Sequence, residues 1–432
     1  MQVIVTMREN ILYFIWQQQY FSFSDAKTIT GESIQVIHPG FHNINSGPDF
    51  EQAKIRIGEV EWNGDVEIHV GSLDWTSHGH QHDKAYNKVI LHVVWEHNGE
   101  VFRNDGTALP TLELKELVEK GLLNRVRALI ESIDAIPCST QINKVSHITI
   151  LETVHRALIK RLERKAQIVL QELFMSHGDW SETAYRLLMR QMGMKVNGEA
   201  FFELAEALPY HLIRKHKHNL IQLEALLFGV SGLLVAPKED GYLAQLKKEF
   251  DFLSHKYGLK KQLSPEQWKF MRLRPANFPT LRIAQMASIL SNPADIFEML
   301  TEFADTKELT LHLKIKTSEY WQTHYRFKVE ANRNVPSLGK TSEELILLNV
   351  VAPLLAAYSI HLADNKYMEK AVSIMEGLKP ENNRIIKQWS QLGISPASGA
   401  ESQGLIELYS EHCQQKACLS CSIGFKILNY KS

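Results

Sequence analysis

The hydrophobic period of this chain changes once, near Lys115. Before that point, short runs alternate with a period of two. After it, apolar residues recur every three or four positions. The clearest early run is Gly64–Val70 (GDVEIHV). Alternation places Val66, Ile68 and Val70 on one strand face and Asp65, Glu67 and His69 on the other. Val89–Glu96 (VILHVVWE) is almost continuously apolar, as in a central strand covered on both faces. Ile34–His38 and Ala53–Trp62 add β-rich runs, the second with Gly58 at a turn. A helix is expected over Glu9–Gln19 and a short one over His82–Lys88. The order helix, three or four strands, short helix, strand predicts an α/β sandwich with a short mixed sheet. A large all-α region follows, so the class is α+β or α/β.

Eight later runs fit helices, among them Glu116–Asp134, Ile148–Phe174, Asn219–Leu233, Tyr242–Tyr257 and Ser342–Leu362. Prolines punctuate them, including Pro237, Pro275 and Pro353, and Pro353 should kink or interrupt its run. The expected organisation is an α/β domain at 1–114 and a helical linker at 115–150. A basic helical domain at 151–290 and a helical region at 291–432 complete it.

The formal net charge of -1 hides a split, with -7 over residues 1–110 and +7 over residues 151–290. Charged residues are 22% and hydrophobic residues 44% of the 432-residue chain, which excludes disordered and fibrous classes. No apolar run looks long enough for the roughly 18 residues of a membrane span, so no membrane partner is expected. Ile11–Trp16 is too short for a signal-peptide core. The four cysteines are too few for a secreted disulfide scaffold. A reducing, cytoplasmic setting is therefore expected.

The candidate catalytic residues lie between Gly47 and His69. Asp49 follows Gly47-Pro48 at the start of one strand, and Glu67 and His69 share a face of the next. Carboxylates and an imidazole gathered opposite an apolar face suit a divalent cation, and oxygen ligands favour Mg²⁺ or Mn²⁺. Asp65 is an additional ligand candidate. This pattern resembles the restriction-endonuclease-like PD-(D/E)XK phosphodiesterases. The resemblance implies a nuclease-like domain in which Asp49 and Glu67 bind metal. His69 stands where that superfamily carries lysine. It would orient water, or Lys54, Lys84 or Lys88 would supply the amine. Glu9 on the first helix matches an extra acid found in many members.

His78, His80 and His82 alternate in a polar segment (HGHQH) that ends at Asp83. They read as a polar loop, as helpers of the carboxylate site, or as the chelate of a zinc-dependent hydrolase. His92, inside an apolar strand, reads as a satisfied core histidine.

Cys413, Cys418 and Cys421 form C-x4-C-x2-C, and Cys138 stands far upstream. This is a ligand spacing for iron–sulfur clusters, and four thiolates equally suit structural zinc. It also resembles the iron–sulfur members of the PD-(D/E)XK superfamily, although there the lone cysteine precedes the nuclease core.

Lys160, Arg161, Arg164 and Lys165 share a helical face, and Arg214, Lys215 and Lys217 form a second basic patch. Such patches suit a phosphate backbone. Arg272, Arg274 and Arg282 flank a Pro275–Pro279 turn. Gly229-Val-Ser-Gly232 lies in an apolar run and reads as packing.

Three segments together carry a wider resemblance: GPDF…GDVEIHV…DW…H-x-x-D-x-x-Y…LHVVW, then RPANFPTLRIAQMA, then SQGLIELYSEHC…CLSCSIG. They resemble an uncharacterised bacterial domain-of-unknown-function family, which implies one architecture and no stated activity. The leading expectation is a metal-dependent phosphodiesterase acting on DNA or RNA. The competing one is a non-catalytic nucleic-acid-binding or scaffold protein with a degenerate nuclease fold.

Overall fold

The computed structural model describes residues 7–234, 241–260, 262–303, 305–314, 316–332 and 334–429. Pro237 lies outside them. The described residues divide into two compact units. The first lies within Met1–Thr153, Gln391–Gly393 and Glu407–Ser432, and the second is Val154–Ser390 with Ile394–Ile406. The class is mixed α+β, a small sheet followed by a large helical region.

Helix α1 (Glu9–Gln17) opens the first unit and buries Ile11, Leu12, Phe14, Ile15 and Trp16. Strands β1 (Ile34–His38), β2 (Phe41–His42), β3 (Phe50–Ile57) and β4 (Val60–Gly71) follow. After a short helix α2 (Asp74–Ser77) and two 3₁₀ turns come β5 (Val89–Glu96) and β6 (Thr111–Glu113). The sheet order is β1-β3-β4-β5-β6, with β2 also on β3. Strands β1, β2 and β4 run antiparallel to their β3 partner, whereas β4/β5 and β5/β6 are parallel.

One expected run proves to be a hairpin. Ala53–Trp62 is split at Gly58 (φ 57), so Val60 already belongs to the strand that carries Glu67 and His69. A two-residue turn with a left-handed glycine matches the right-handed twist of the strands it joins. Gly64 sets how closely the parallel pair can meet. A Cβ there would sit 2.5 Å from Ile90 Cγ2 and from the Lys88 carbonyl oxygen. The fully apolar run of β5 is buried from Val89 to Val94, as expected for a covered central strand.

Alternation on β4 gives the right faces and the wrong environment. Val66 and Ile68 are buried, and so are Glu67 and His69. The second face is covered by the chain between β4 and β5, with Trp75 at its centre. Helix α3 (Lys120–Ile130) is shorter than the expected Glu116–Asp134.

The second unit is helical, with one short hairpin at His324–Arg326 and Val329–Glu330. Asn219 caps the Leu220–Val230 helix by accepting a hydrogen bond from the Gln222 amide. Gly229 lets the Gly241–Tyr257 helix approach, because a Cβ at 229 would fall 2.0 Å from the Phe250 ring. Pro353 interrupts its run in a specific way. The segment is α-helical over Lys340–Ile346, π-helical over Leu347–Val351 and α-helical again over Ala352–Leu362. A wider turn relieves the clash between a proline ring and the carbonyl four residues earlier. This continuous Lys340–Leu362 helix is long and apolar enough to cross a membrane, which corrects the expectation that no such run exists. Most of its apolar window is buried inside the protein, as in the core helix of a helical unit.

A buried acid also lies in this unit. Glu224 accepts hydrogen bonds from Tyr242 (2.8 Å) and Ser318 (2.7 Å), and Trp321 Nε1 donates to the Tyr242 hydroxyl at 2.9 Å. Burial pushes the Glu224 carboxyl up to about 7, against partial opposition from the Ser318 and Tyr242 hydrogen bonds.

Two outcomes follow for the second unit. Gly229→Ala should destabilise it by about 1–3 kcal/mol through overpacking against Phe250, read as a lower urea midpoint. The Glu224 carboxyl is raised in the folded state, so its contribution is full below about pH 4.5 and lost as pH rises through about 7. Relative to wild type, Glu224→Gln should therefore gain up to about 3 kcal/mol between pH 5 and pH 8. Parallel pH profiles for the two proteins would contradict this.

Candidate metal centre between the parallel strands

Asp49 stands one residue before β3 and is clasped to β4 from both sides. Its amide donates to Glu67 Oε2 at 3.1 Å, and its Oδ2 accepts the Ile68 amide at 2.9 Å. The two acids expected to converge do so through these reciprocal bonds. Tyr13 on α1 lies beside Asp49 and Glu9, which stands one turn earlier on the same helix face; burial and the negative charges of both acids raise the Tyr13 hydroxyl.

Three imidazoles complete the group. Glu67 Oε1 lies 3.4 Å from His69 Nε2 and 3.3 Å from His80 Nε2. His78 Nδ1 lies 3.2 Å from His69 Nε2. Ligand atoms of His69, His78 and His80 all fall within 4.8 Å of one another. Behind them, His69 Nδ1 meets His92 Nε2 at 2.9 Å.

Local backbone explains why residues nine and eleven positions past His69 can return to it. The parallel β4/β5 pair requires a crossover, and the crossover folds back over the sheet face. Asp74 holds its start by accepting the Gly71 amide at 2.9 Å, and Asp83 holds its end by accepting the Ala85 amide at 2.9 Å. Gly79 (φ 78) takes the left-handed turn that lets His78 and His80 face one site. Trp75 is fully buried beneath them and donates Nε1 to the Phe102 carbonyl at 3.1 Å. Tyr86 stacks on His80 with ring centroids 3.9 Å apart and donates to the Gly47 carbonyl at 3.3 Å.

The electrostatics are one-sided. Burial pushes the Glu67 carboxyl up to about 9, and the negative charges of Asp49 and Glu9 add to the shift. Asp49 is raised by burial as well. Burial holds His69 down to about 3, and neighbouring His80 and His78 act in the same direction. His92 and His80 are lowered from the ordinary imidazole value, again chiefly by burial. His69 is therefore neutral, and no lysine or arginine appears among the groups that stabilise Asp49 or Glu67.

This donor set fits a divalent cation. It offers a Glu67 carboxylate oxygen beside the imidazole nitrogens of buried His69, half-buried His80 and exposed His78. His80 Nε2 is buried and has no hydrogen-bond partner among the described residues, despite its closeness to Glu67. With metal on His69 Nε2, the ring proton sits on Nδ1 and is donated to His92, the outer support that imidazole ligands ordinarily have.

Several expected residues fall elsewhere. Asp65 accepts the Gln52 amide at 3.1 Å and secures a bulge in β3, where Gln52 adopts φ 58. Lys54 pairs with Glu61 at 2.7 Å across the hairpin, which occupies the amine. Lys84 and Lys88 are exposed on the turn before β5. His82 is exposed too. It shares a 3₁₀ turn with His80, and residues two apart in such a turn diverge. His92 is not a satisfied core histidine, since its Nδ1 has no partner among the described residues and its Nε2 serves His69. Tyr13 and Tyr86 were not singled out by sequence, although the H-x-x-D-x-x-Y spacing contains Tyr86.

The basic patches are partly consumed inside the second unit. Arg161 donates to Gln403 at 2.6 Å and Lys165 to Asn349 at 3.1 Å. Lys217 is buried and donates to the Ala294 carbonyl, so it cannot meet a phosphate backbone. Arg282 is buried as well and donates to Asn277 (2.7 Å) and Ser342 (2.8 Å). Lys160, Arg164, Arg214 and Lys215 are exposed.

Comparison with known proteins adds one match. No curated protein and no solved structure matches the chain. The family described as protein of unknown function (DUF2851) matches residues 9–384. That span includes the whole clasp of Asp49, Glu67 and the histidines, and also the RPANFPTLRIAQMA segment. The C-terminal cysteine trio lies beyond it. The chain belongs to the DUF2851 family.

Proposed function

We propose that the protein is a metal-dependent phosphodiesterase whose substrate is DNA or RNA. The observation that carries this reading is the meeting of Glu67 with His69 and His80, with His78 beside them and Asp49 clasped to the same strand, and with no lysine or arginine acting on either acid. The order helix, antiparallel hairpin, crossover, parallel strand supports it too, because the PD-(D/E)XK resemblance implies that order around its acids. The carboxylate site and the histidine segment, alternatives in the sequence, become one centre on this reading. Its mixed nitrogen and oxygen donors suit Mn²⁺ or Zn²⁺ better than Mg²⁺.

Asp49, Glu67, His69, His78 and His80 would hold the ion. When bound, it would polarise a phosphate and lower the pKa of a coordinated water. The chain's own residues orient and enclose. The Ile68 amide fixes the Asp49 carboxylate. His92 fixes the His69 ring. Trp75 and Tyr86 wall the His80 side against water. Lys160, Arg214 and Lys215 supply exposed charge for a phosphate backbone. Four cysteines without a disulfide support a reducing, cytoplasmic setting.

Metal binding and cleavage test separate parts of this reading. In calorimetric titration, His80→Ala and Glu67→Ala should weaken Mn²⁺ or Zn²⁺ binding at least ~10-fold, and loss of the supporting His92 should weaken it ~10–100-fold. Equal affinity in all three variants removes the centre. With Mn²⁺ present, purified protein should cut single- or double-stranded DNA or RNA. Asp49→Ala and Glu67→Ala should then lose at least ~100-fold in rate, the size of effect expected when groups that activate the attacking water are removed. Lys54→Ala should cleave at the wild-type rate, since its amine is held by Glu61. Cleavage that survives both acid substitutions would sink the site. Nucleic-acid binding by the wild type with no cleavage under any of these ions would leave the scaffold reading instead.

A further inference from the structure

The four cysteines of the chain all lie in the first unit, although the trio comes from the last part of the chain. The C-terminal segment folds back onto the region around Cys138. Arg125 of α3 donates Nε to the Leu428 carbonyl at 3.0 Å, and Tyr20 bonds with Asn429. The Ser422–Leu428 helix touches both α3 and the 3₁₀ turn Ile142–Lys144 just after Cys138. Cys138, Cys413 and Cys418 are buried, Cys421 is partly buried, and none forms a disulfide.

Three backbone details shape this cluster. A π turn over Tyr409–Cys413 ends on the first cysteine of the trio. Lys416 takes a left-handed conformation (φ 54), which reverses the chain between Cys413 and Cys418. The Cys421 amide then bonds back to the Cys418 carbonyl at 3.3 Å. Gly424 follows at a point where a Cβ would lie 2.1 Å from that same carbonyl oxygen. Only glycine permits this approach, and the backbone amides of Ile423 and Gly424 hold the Cys421 thiol down against the upward push of burial.

Buried thiols pack as small hydrophobes and need neither one another nor amide donors. The helix that follows Cys421 packs on the turn after Cys138, and Cys138, Cys418 and Cys421 lie near enough to Cys413 to act on it electrostatically. Amide donors aimed at sulfur stabilise a thiolate, and outer hydrogen bonds of this kind accompany metal–thiolate ligation.

We propose that Cys138, Cys413, Cys418 and Cys421 are the thiolate ligands of a structural metal centre that fastens the C-terminal segment to the first unit. The ligand class is a thiophilic metal, either a single zinc ion or an iron–sulfur cluster, and both require four deprotonated sulfurs. Each thiol gives up its proton to solvent as a zinc ion or a preassembled iron–sulfur cluster binds, and neither the sulfurs nor the metal change oxidation state in that step. The centre uses none of the residues of the Asp49–Glu67 site and stands or falls apart from it.

The test uses the full chain carrying His78→Ala and His80→Ala, so that the histidine site contributes no metal. Protein purified without oxygen is analysed for zinc, iron and acid-labile sulfide and by visible absorption. One equivalent of zinc in colourless protein, or iron and sulfide with a brown chromophore, each supports the proposal and identifies the metal. Cys138→Ser and Cys418→Ser should each remove most of that metal, and Gly424→Ala should reduce it. Because a serine variant can also unfold, the same full chain is stripped and reloaded with Co²⁺. A thiolate-to-cobalt charge-transfer band, with the four thiols protected from alkylation, is expected. Four thiols that alkylate freely in the folded chain with Co²⁺ or Zn²⁺ present would overturn the proposal. So would a metal content unchanged by both serine substitutions.

Discussion

Much of the first unit is arranged around buried acids that no lysine or arginine faces. Glu67 is buried on a central strand, and the charged groups that act on it are Asp49 and Glu9, both acidic. A buried carboxylate ordinarily finds an arginine, a lysine or several amide donors. Glu67 finds one amide and two neutral imidazoles. Natural cores avoid that arrangement unless something else supplies the positive charge. The tight parallel pair, the crossover and the capping aspartates all serve to keep these groups together in spite of it.

The geometry shows how few backbone choices are needed. Gly64 lets β5 come close enough that His92 lies behind His69. Glu67 pairs in register with His92, and His69 with Val94, so the imidazole-to-imidazole bond runs diagonally across parallel strands. Gly79 reverses the covering segment between two histidines. Replacing either glycine would strain the assembly without touching a charged atom, which separates the scaffold of the site from its ligands.

Glu67 and His69 were legible as one strand face because period-two alternation assigns faces without any knowledge of tertiary structure, and Asp49 by its place after Gly47-Pro48. Alternation does not show that Asp65 accepts the Gln52 amide at a bulge in β3. His92 was misread because an apolar run signals burial and says nothing about which polar atom lies across the next strand. The histidine segment resisted a single reading. Helical and loop spacings both fit HGHQH, and only the left-handed Gly79 decides that His78 and His80 converge while His82 leaves. In the helical unit, Lys217 and Arg282 looked like a basic surface. Charge is visible in sequence, but the carbonyl or amide oxygen that captures a cation from a distant segment is not.

His69 at the position where a nuclease of the resembled superfamily carries lysine has a physical logic on the proposed reading. An ammonium at that depth would bring a fixed positive charge and would need water or several acceptors to stay protonated. A neutral imidazole needs neither. It accepts burial, passes its Nδ1 to His92 and turns its other nitrogen toward Glu67. Exchanging lysine for histidine thus moves the burden of positive charge from the protein to the ion. The added histidines, His78 and His80, are what such an exchange demands, since a cation asked to balance two carboxylates alone must be held more firmly. The Lys54–Glu61 pair fits the same logic, because an amine no longer needed at the site is free to brace the hairpin that presents it.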